Sequence, residues 1–132
     1  MIQKDNRVAR NAKDLEVYRS AYQLAMELFE ISKSWPRDER YALTDQIRRS
    51  SRSVCANLRE AWAKRRYPAH FILKITDADA ENSETDTWLD FARDTDCLSP
   101  DEYAKLAAKV AEVGRMIGGI LKNHESFCHP QS

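Results

Sequence analysis

Between Leu43 and Tyr67 the chain carries Arg48, Arg52, Arg59 and Arg66, with Lys64 and Arg65 beside the last of them. Wound as a helix at about 100° per residue, the four arginines share an arc of about 40°. A guanidinium is permanently charged and presents planar, paired donors, so a stripe of them suits the phosphates of a nucleic acid. The basic cluster Lys64-Arg65-Arg66 also has an explanation that needs no ligand, because cations at a helix end meet the negative pole of its dipole. A third reading is electrostatic. Residues 37–75 hold ten Lys/Arg against four Asp/Glu, whereas residues 76–104 hold one Arg against ten Asp/Glu. Asp79, Asp86 and Asp90 would then neutralise the stripe, within the chain or across to a second copy.

Other chemistry is thinly represented. Glu81 and Glu84 have the spacing of a carboxylate pair, but no His follows either by three residues, as a bundle di-metal site requires. A salt-bridged acidic face is the expected role. His124, Cys128 and His129 stand together only as incidental groups in a tail. No Gly-rich phosphate loop exists, and no Ser, Cys or His has the setting of a nucleophile. Cys55, Cys97 and Cys128 are odd in number and lack CxxC spacing, which speaks against a disulfide framework or structural zinc. The expectation is a non-enzymatic chain without metal or cofactor.

The elements that position the stripe follow from periodicity. With 132 residues, 3 Gly and 4 Pro, the chain suits one all-α domain. No apolar run reaches the roughly 18 residues of a membrane span, and no signal-peptide core follows Met1, so the expected setting is cytoplasmic. Residues 1–13 read as a loose arm, 14–123 as the bundle and 124–132 as a tail. Helix one is expected over Asp14–Ser34, N-capped by Asp14. Val17, Ala21, Leu24, Leu28, Ile31 and Trp35 form its main apolar stripe. Tyr18, Tyr22, Ala25 and Phe29 form a second stripe, as either a wide core edge or a subunit contact.

Pro36 ends that helix. Helix two is expected over Tyr41–Arg66, with Leu43, Ile47, Val54, Leu58 and Ala61 on its core face. Ser50, Ser51, Ser53 and Ala56 narrow its middle and permit a close helix approach. Asn57, at the edge of that face, is expected to hydrogen-bond a neighbouring helix or subunit, and Glu60 to act with it. Helix three is expected over Pro68–Arg93, burying Phe71, Ile75, Ala78, Asn82, Thr85, Leu89 and Ala92. Its other face mixes Leu73, Ala80, Trp88 and Phe91 with acids, which suggests an interface. After a loop, Ser99-Pro100-Asp101-Glu102 spells a capping box and opens helix four, which runs to Asn123. Gly114, Gly118 and Gly119 there would admit a close backbone. Short connections between four long helices predict an antiparallel up-down four-helix bundle.

The segments Asp14-Leu15-Glu16-Val17-Tyr18 with Ala21 and Leu24, Pro36 and Glu39, Leu43-Thr44-x-Gln46-Ile47-Arg48-Arg49-Ser50, and Ser53-Val54-x-x-Asn57-Leu58-x-Glu60-Ala61, with Glu84, Thr87 and Leu89, carry a resemblance. It is to the bacterial four-helix bundle proteins of ribosomal RNA intervening sequences. Ala61 stands where that family often has Gly, and the frequent Gly-Ser before the helix-three Glu is missing. The resemblance marks Gln46, Asn57, Glu60 and Glu84 as motif residues. It implies a ring-like homo-pentamer, with Tyr18, Tyr22, Phe29, Trp88 and Phe91 as the apolar surface available for assembly. A similar bundle is the accessory variability protein of diversity-generating retroelements. Together with the basic helix-two residues read above, Arg48, Arg52, Arg59, Lys64, Arg65 and Arg66, these imply an oligomeric scaffold that binds nucleic acid, as structured RNA or its ribonucleoprotein or as DNA. The alternative they imply is a ring that engages a protein such as a reverse transcriptase without touching nucleic acid.

Overall fold

Four helices, α1 (Glu16–Ile31), α2 (Asp45–Ala63), α3 (Pro68–Asp94) and α4 (Pro100–Lys122), make up the computed structural model, which describes residues 9–128. They form an antiparallel up-down bundle. Each helix packs on its neighbour in sequence, and α4 closes back on α1. Leu28, Leu43, Ile47, Leu58, Ile75, Leu89 and Ile117 are fully buried along the shared axis. The expected faces of α2 and α3 are the buried ones. On α4, Tyr103 and Leu121 are only half-buried, and Ile120 joins the core beside Leu106, Val110, Val113 and Ile117.

The capping box at α4 forms as its sequence requires: Ser99 Oγ accepts from the Glu102 amide at 3.1 Å, and Glu102 accepts from the Ser99 amide at 2.9 Å. Other boundaries differ from expectation. Asp14 does not cap α1. A 3-10 turn, Ala12–Asp14, precedes that helix and is capped by Asn11, while Asp14 accepts from the Arg10 amide at 2.8 Å. Those backbone bonds hold the Asp14 carboxyl below its usual range. Ala12 is buried, so part of the expected arm is packed; residues 1–8 lie outside the described residues. In the expected tail, the Phe127 ring lies 6.2 Å from Phe71 over a short turn at His124–Ser126, and His129 lies outside the described residues.

Helix α2 begins with a π turn, Arg40–Thr44, and stops at Ala63 rather than Arg66. Gln46 Nε2 reaches the Tyr41 carbonyl at 3.4 Å within that first turn. The segment expected only as a loop after α3 is a Schellman ending. Asp96 takes φ 63°, the left-handed conformation an Asp tolerates, and the Cys97 amide bonds back to the Ala92 carbonyl at 2.8 Å.

The narrow middle of α2 does bring helices close. Ser50 and Thr85 are fully buried, and their hydroxyl oxygens lie 2.8 Å apart across α2 and α3. Each hydroxyl also reaches a carbonyl of its own helix, Thr85 that of Glu81 at 3.0 Å and Ser50 that of Ile47 at 3.4 Å, so either can be the donor in the shared bond. Of the three glycines, only Gly114 meets a neighbour: an added Cβ would lie 3.4 Å from Asn82 Nδ2, a side chain and not a backbone. Gly118 and Gly119 face open space, so the close backbone approach expected there is absent.

Candidate nucleic-acid interface

Tyr18 and Phe29 on α1 stand eleven residues apart, as do Arg48 and Arg59 on α2. Because the two helices are antiparallel neighbours, this spacing sets Phe29 against Arg48 and Tyr18 against Arg59. The guanidinium of Arg48 sits 4.7 Å from the Phe29 ring centroid and that of Arg52 5.5 Å from the same ring. Arg59 lies 5.8 Å from the Tyr18 centroid. All three are within cation–π range. The arginine stripe and the aromatic stripe, read as separate surfaces in the sequence, therefore form one surface.

Arg48 is the most firmly held. Its Nε donates to Ser32 Oγ at 2.8 Å, and its terminal nitrogen reaches the Phe29 carbonyl at 3.4 Å. Arg52 and Arg59 are exposed. Among the described residues, no ion pair joins Arg48, Arg52, Arg59 or Arg66 to a carboxylate. Neutralisation by Asp79, Asp86 or Asp90 of the same chain is thus not how the fold uses them. Asp90 accepts instead from the Tyr103 hydroxyl at 2.7 Å, and burial with the nearby Asp90 charge pushes the Asp86 carboxyl up. Phe29, Arg48, Arg49, Arg52, Ser53, Ala56 and the single carboxylate Asp45 line an open cleft of about 530 Å³.

The basic cluster at the end of α2 is divided. Arg65 folds back, its Nε donating to the Trp62 carbonyl at 2.9 Å and its guanidinium stacked 3.6 Å from the Trp62 centroid. Lys64 is the helix C-cap and Arg66 lies in the turn beyond it, so Arg66 leaves the register that placed it in the stripe.

The motif residues have separate roles. Asn57 Nδ2 donates to the Ser53 carbonyl one turn back at 2.9 Å, not to another helix of the chain as expected. Glu60 does tie α2 to α3 through Lys74, Nζ to Oε1 at 2.7 Å, and that hydrogen bond holds the Glu60 carboxyl low. Glu84 accepts from Arg49 and from Trp88 Nε1, the latter at 3.2 Å. Arg49 also reaches Glu81 at 3.4 Å. The acidic pair on α3 is therefore half of an α2–α3 clamp, with Arg49, outside the stripe, as the cation. The Trp88 and Phe91 rings lie 5.8 Å apart; Phe91 is exposed, as are Tyr22, Met26 and Leu73, while Tyr18, Phe29 and Trp88 are half-buried.

Burial pushes the Cys55 thiol up to about 11, the opposite of what a nucleophile needs. Among the described residues no group of three His, Cys, Asp or Glu is placed to hold a metal, and no helix is long and apolar enough to cross a membrane.

The family model "23S rRNA-intervening sequence protein" matches residues 13–119 of this chain. The chain belongs to that family. A similar solved structure is a crystal structure from Bacteroides thetaiotaomicron, described as a protein with unknown function from the S23 ribosomal protein family. It is 26% identical, with a TM-score of 0.73, over 80% of this chain and 95% of that one. No curated protein matches the sequence. The segment Leu43 to Glu60 serves two surfaces at once: Ile47, Ser50, Val54 and Leu58 face the core, while Arg48 and Arg52 line the cleft.

Proposed function

We propose that this member of the 23S rRNA-intervening sequence family is a non-enzymatic, cytoplasmic scaffold that binds structured RNA through the α1–α2 face. The observation that carries the reading is the set of three arginines, Arg48, Arg52 and Arg59, standing over aromatic rings with no carboxylate paired to them among the described residues. Arginine neutralises phosphate, and the half-buried Phe29 and Tyr18 rings hold the guanidiniums in one row, so the combination suits a nucleic-acid backbone better than scattered charges do. Tyr22, half exposed and 6.2 Å from the Tyr18 ring, adds a ring on which a base can stack. The family's name, with its link to 23S rRNA, favours RNA over DNA. Titration of fluorescently labelled structured RNA with the protein at increasing salt tests it. With three stripe arginines engaged per strand contact, log affinity is expected to fall against log salt with a slope of about −2. An affinity that is undetectable at low salt, or insensitive to salt, overturns the reading.

The same proposal includes self-association, with a homo-pentamer as the expected ring. Phe91 and Leu73 are exposed on α3. Such apolar surface commonly marks a contact between copies. A ring would repeat the arginine cleft and multiply weak phosphate contacts. Light scattering at micromolar concentration is expected to give a multiple of the 15.3 kDa chain mass, near fivefold; the monomer mass would remove this part of the proposal.

A further inference from the structure

Asp45 is the single carboxylate among the residues that line the arginine cleft. It also lines a smaller cleft of about 240 Å³ beside Pro36, again as the single carboxylate, where Arg37, Arg40 and the shared Arg48 are its neighbours. An acid at the junction of two basic clefts opposes phosphate, and the structural uses of an acid at this position are all unfilled. Asp45 opens α2 yet caps nothing: the π turn Arg40–Thr44 runs straight into the helix, and the Asp45 amide already bonds to the Arg40 carbonyl. Arg48 and Arg49 follow it by three and four residues, the spacing of a helical ion pair. Both are held elsewhere, Arg48 by Ser32 Oγ at 2.8 Å and the Phe29 ring, Arg49 by Glu81 and Glu84. The Asp45 side chain is exposed and makes no hydrogen bond or ion pair among the described residues. It is a free acceptor on a surface that otherwise suits anions. An ionised carboxylate only accepts, so the group it meets must donate.

We propose that Asp45 accepts a hydrogen bond from a ribose 2′-hydroxyl, at a nucleotide whose flanking phosphates face the arginines of the two clefts, and so selects RNA over DNA. This rests on the RNA reading and adds the feature of the strand that is recognised. Along a strand each sugar lies between two phosphates, and here one acceptor lies between two sets of cations. In folded RNA the base donors are taken up by pairing, while the 2′-hydroxyls stay displayed in the wide, shallow minor groove. A hydroxyl that donates to a carboxylate forms a short, charge-assisted bond. A DNA strand brings the same phosphates without that donor, so it meets Asp45 as repulsion alone. A divalent cation is a poorer occupant, because the arginines of both clefts repel it.

The test titrates the wild type and Asp45→Ala with a labelled RNA hairpin and with the same hairpin carrying 2′-fluorine at every sugar. Fluorine keeps the A-form helix and all the phosphates and removes only the donor. The wild type is expected to bind the hydroxyl hairpin about tenfold more tightly, the effect of one hydrogen bond to a charged acceptor. Asp45→Ala is expected to bind the two hairpins equally, and to bind the fluorinated one more tightly than the wild type does, since a repelling charge has gone. Asp45→Asn keeps an acceptor without the charge and should retain part of the preference. Circular dichroism melts that match the wild type show that both variants are folded. A role limited to charge raises the affinity of Asp45→Ala for both hairpins by one factor and leaves their ratio as in the wild type; that outcome overturns the proposal. Salt-dependent binding in which the wild type does not distinguish the hairpins overturns it while keeping the RNA reading. No binding of either hairpin at low salt overturns both.

Discussion

Reversing Arg52 and Arg59 to glutamate together is expected to lower RNA affinity by about 100-fold or more while leaving the bundle and its assembly intact. Each guanidinium–phosphate bond contributes about 1.5–3 kcal/mol, so losing two exceeds about 3 kcal/mol even before the new repulsion is counted. The log–log salt slope should shrink in magnitude by about 1.4, two single-strand phosphate contacts. Stability should change little. Both side chains are exposed and neither has an ion pair to lose among the described residues, only cation–π contacts to Phe29 and Tyr18 of about 0.5–1 kcal/mol each. Lysine at both positions separates charge from stacking. It keeps the phosphate attraction but not the planar fork, so its affinity should fall between the two. The competing outcome is equally definite. If the stripe meets the acidic α3 of another copy, the glutamate variant dissociates the oligomer, and the wild type shows no RNA binding at low salt. Equal affinity in wild type and variant would also sink the interface.

Most of the bundle was legible because its signals are local and periodic. The buried set of α3, from Phe71 to Ala92, is a strict helical repeat, and Ser99-Pro100-Asp101-Glu102 encodes its own cap. The misses share a cause: they depend on groups far apart in the chain or on backbone choices that several sequences satisfy. Asp14 is a good N-cap type, but Asn11 captures the preceding turn first. Asn57 sits at a face boundary, where its amide is satisfied by its own helix at Ser53. Arg66 falls outside the stripe because α2 ends at Ala63, three residues before it. The π turn at Arg40–Thr44 has no composition that distinguishes it from an α-helical start. The pairing of Tyr18 and Phe29 with Arg59 and Arg48 had a usable signal, the equal spacing on two helices expected to be antiparallel.

Ser50→Leu is expected to be the most damaging single change in the bundle. Ser50 is fully buried on α2, and its hydroxyl touches that of Thr85 at 2.8 Å. Two side chains that short can meet only if the helix backbones are close, so no room exists for the extra carbons of leucine. Overpacking of this kind costs about 1–3 kcal/mol and sometimes more, because packed helices shift as units. The lost hydroxyl pair adds about 1 kcal/mol. The sum, roughly 2–4 kcal/mol, corresponds to a fall in melting temperature on the order of 10 °C for a domain of this size. Ser50→Ala isolates the hydrogen bond. It keeps the narrow waist, and Thr85 keeps its bond to the Glu81 carbonyl, so the expected cost is only about 1 kcal/mol. Ala63→Leu, at the exposed end of the same helix, should stay within about 0.5 kcal/mol of wild type. Thermal melts followed by circular dichroism rank the three. A leucine variant that melts within a degree or two of the alanine variant would show that α2 and α3 separate freely, and that Ser50 does not set their close approach.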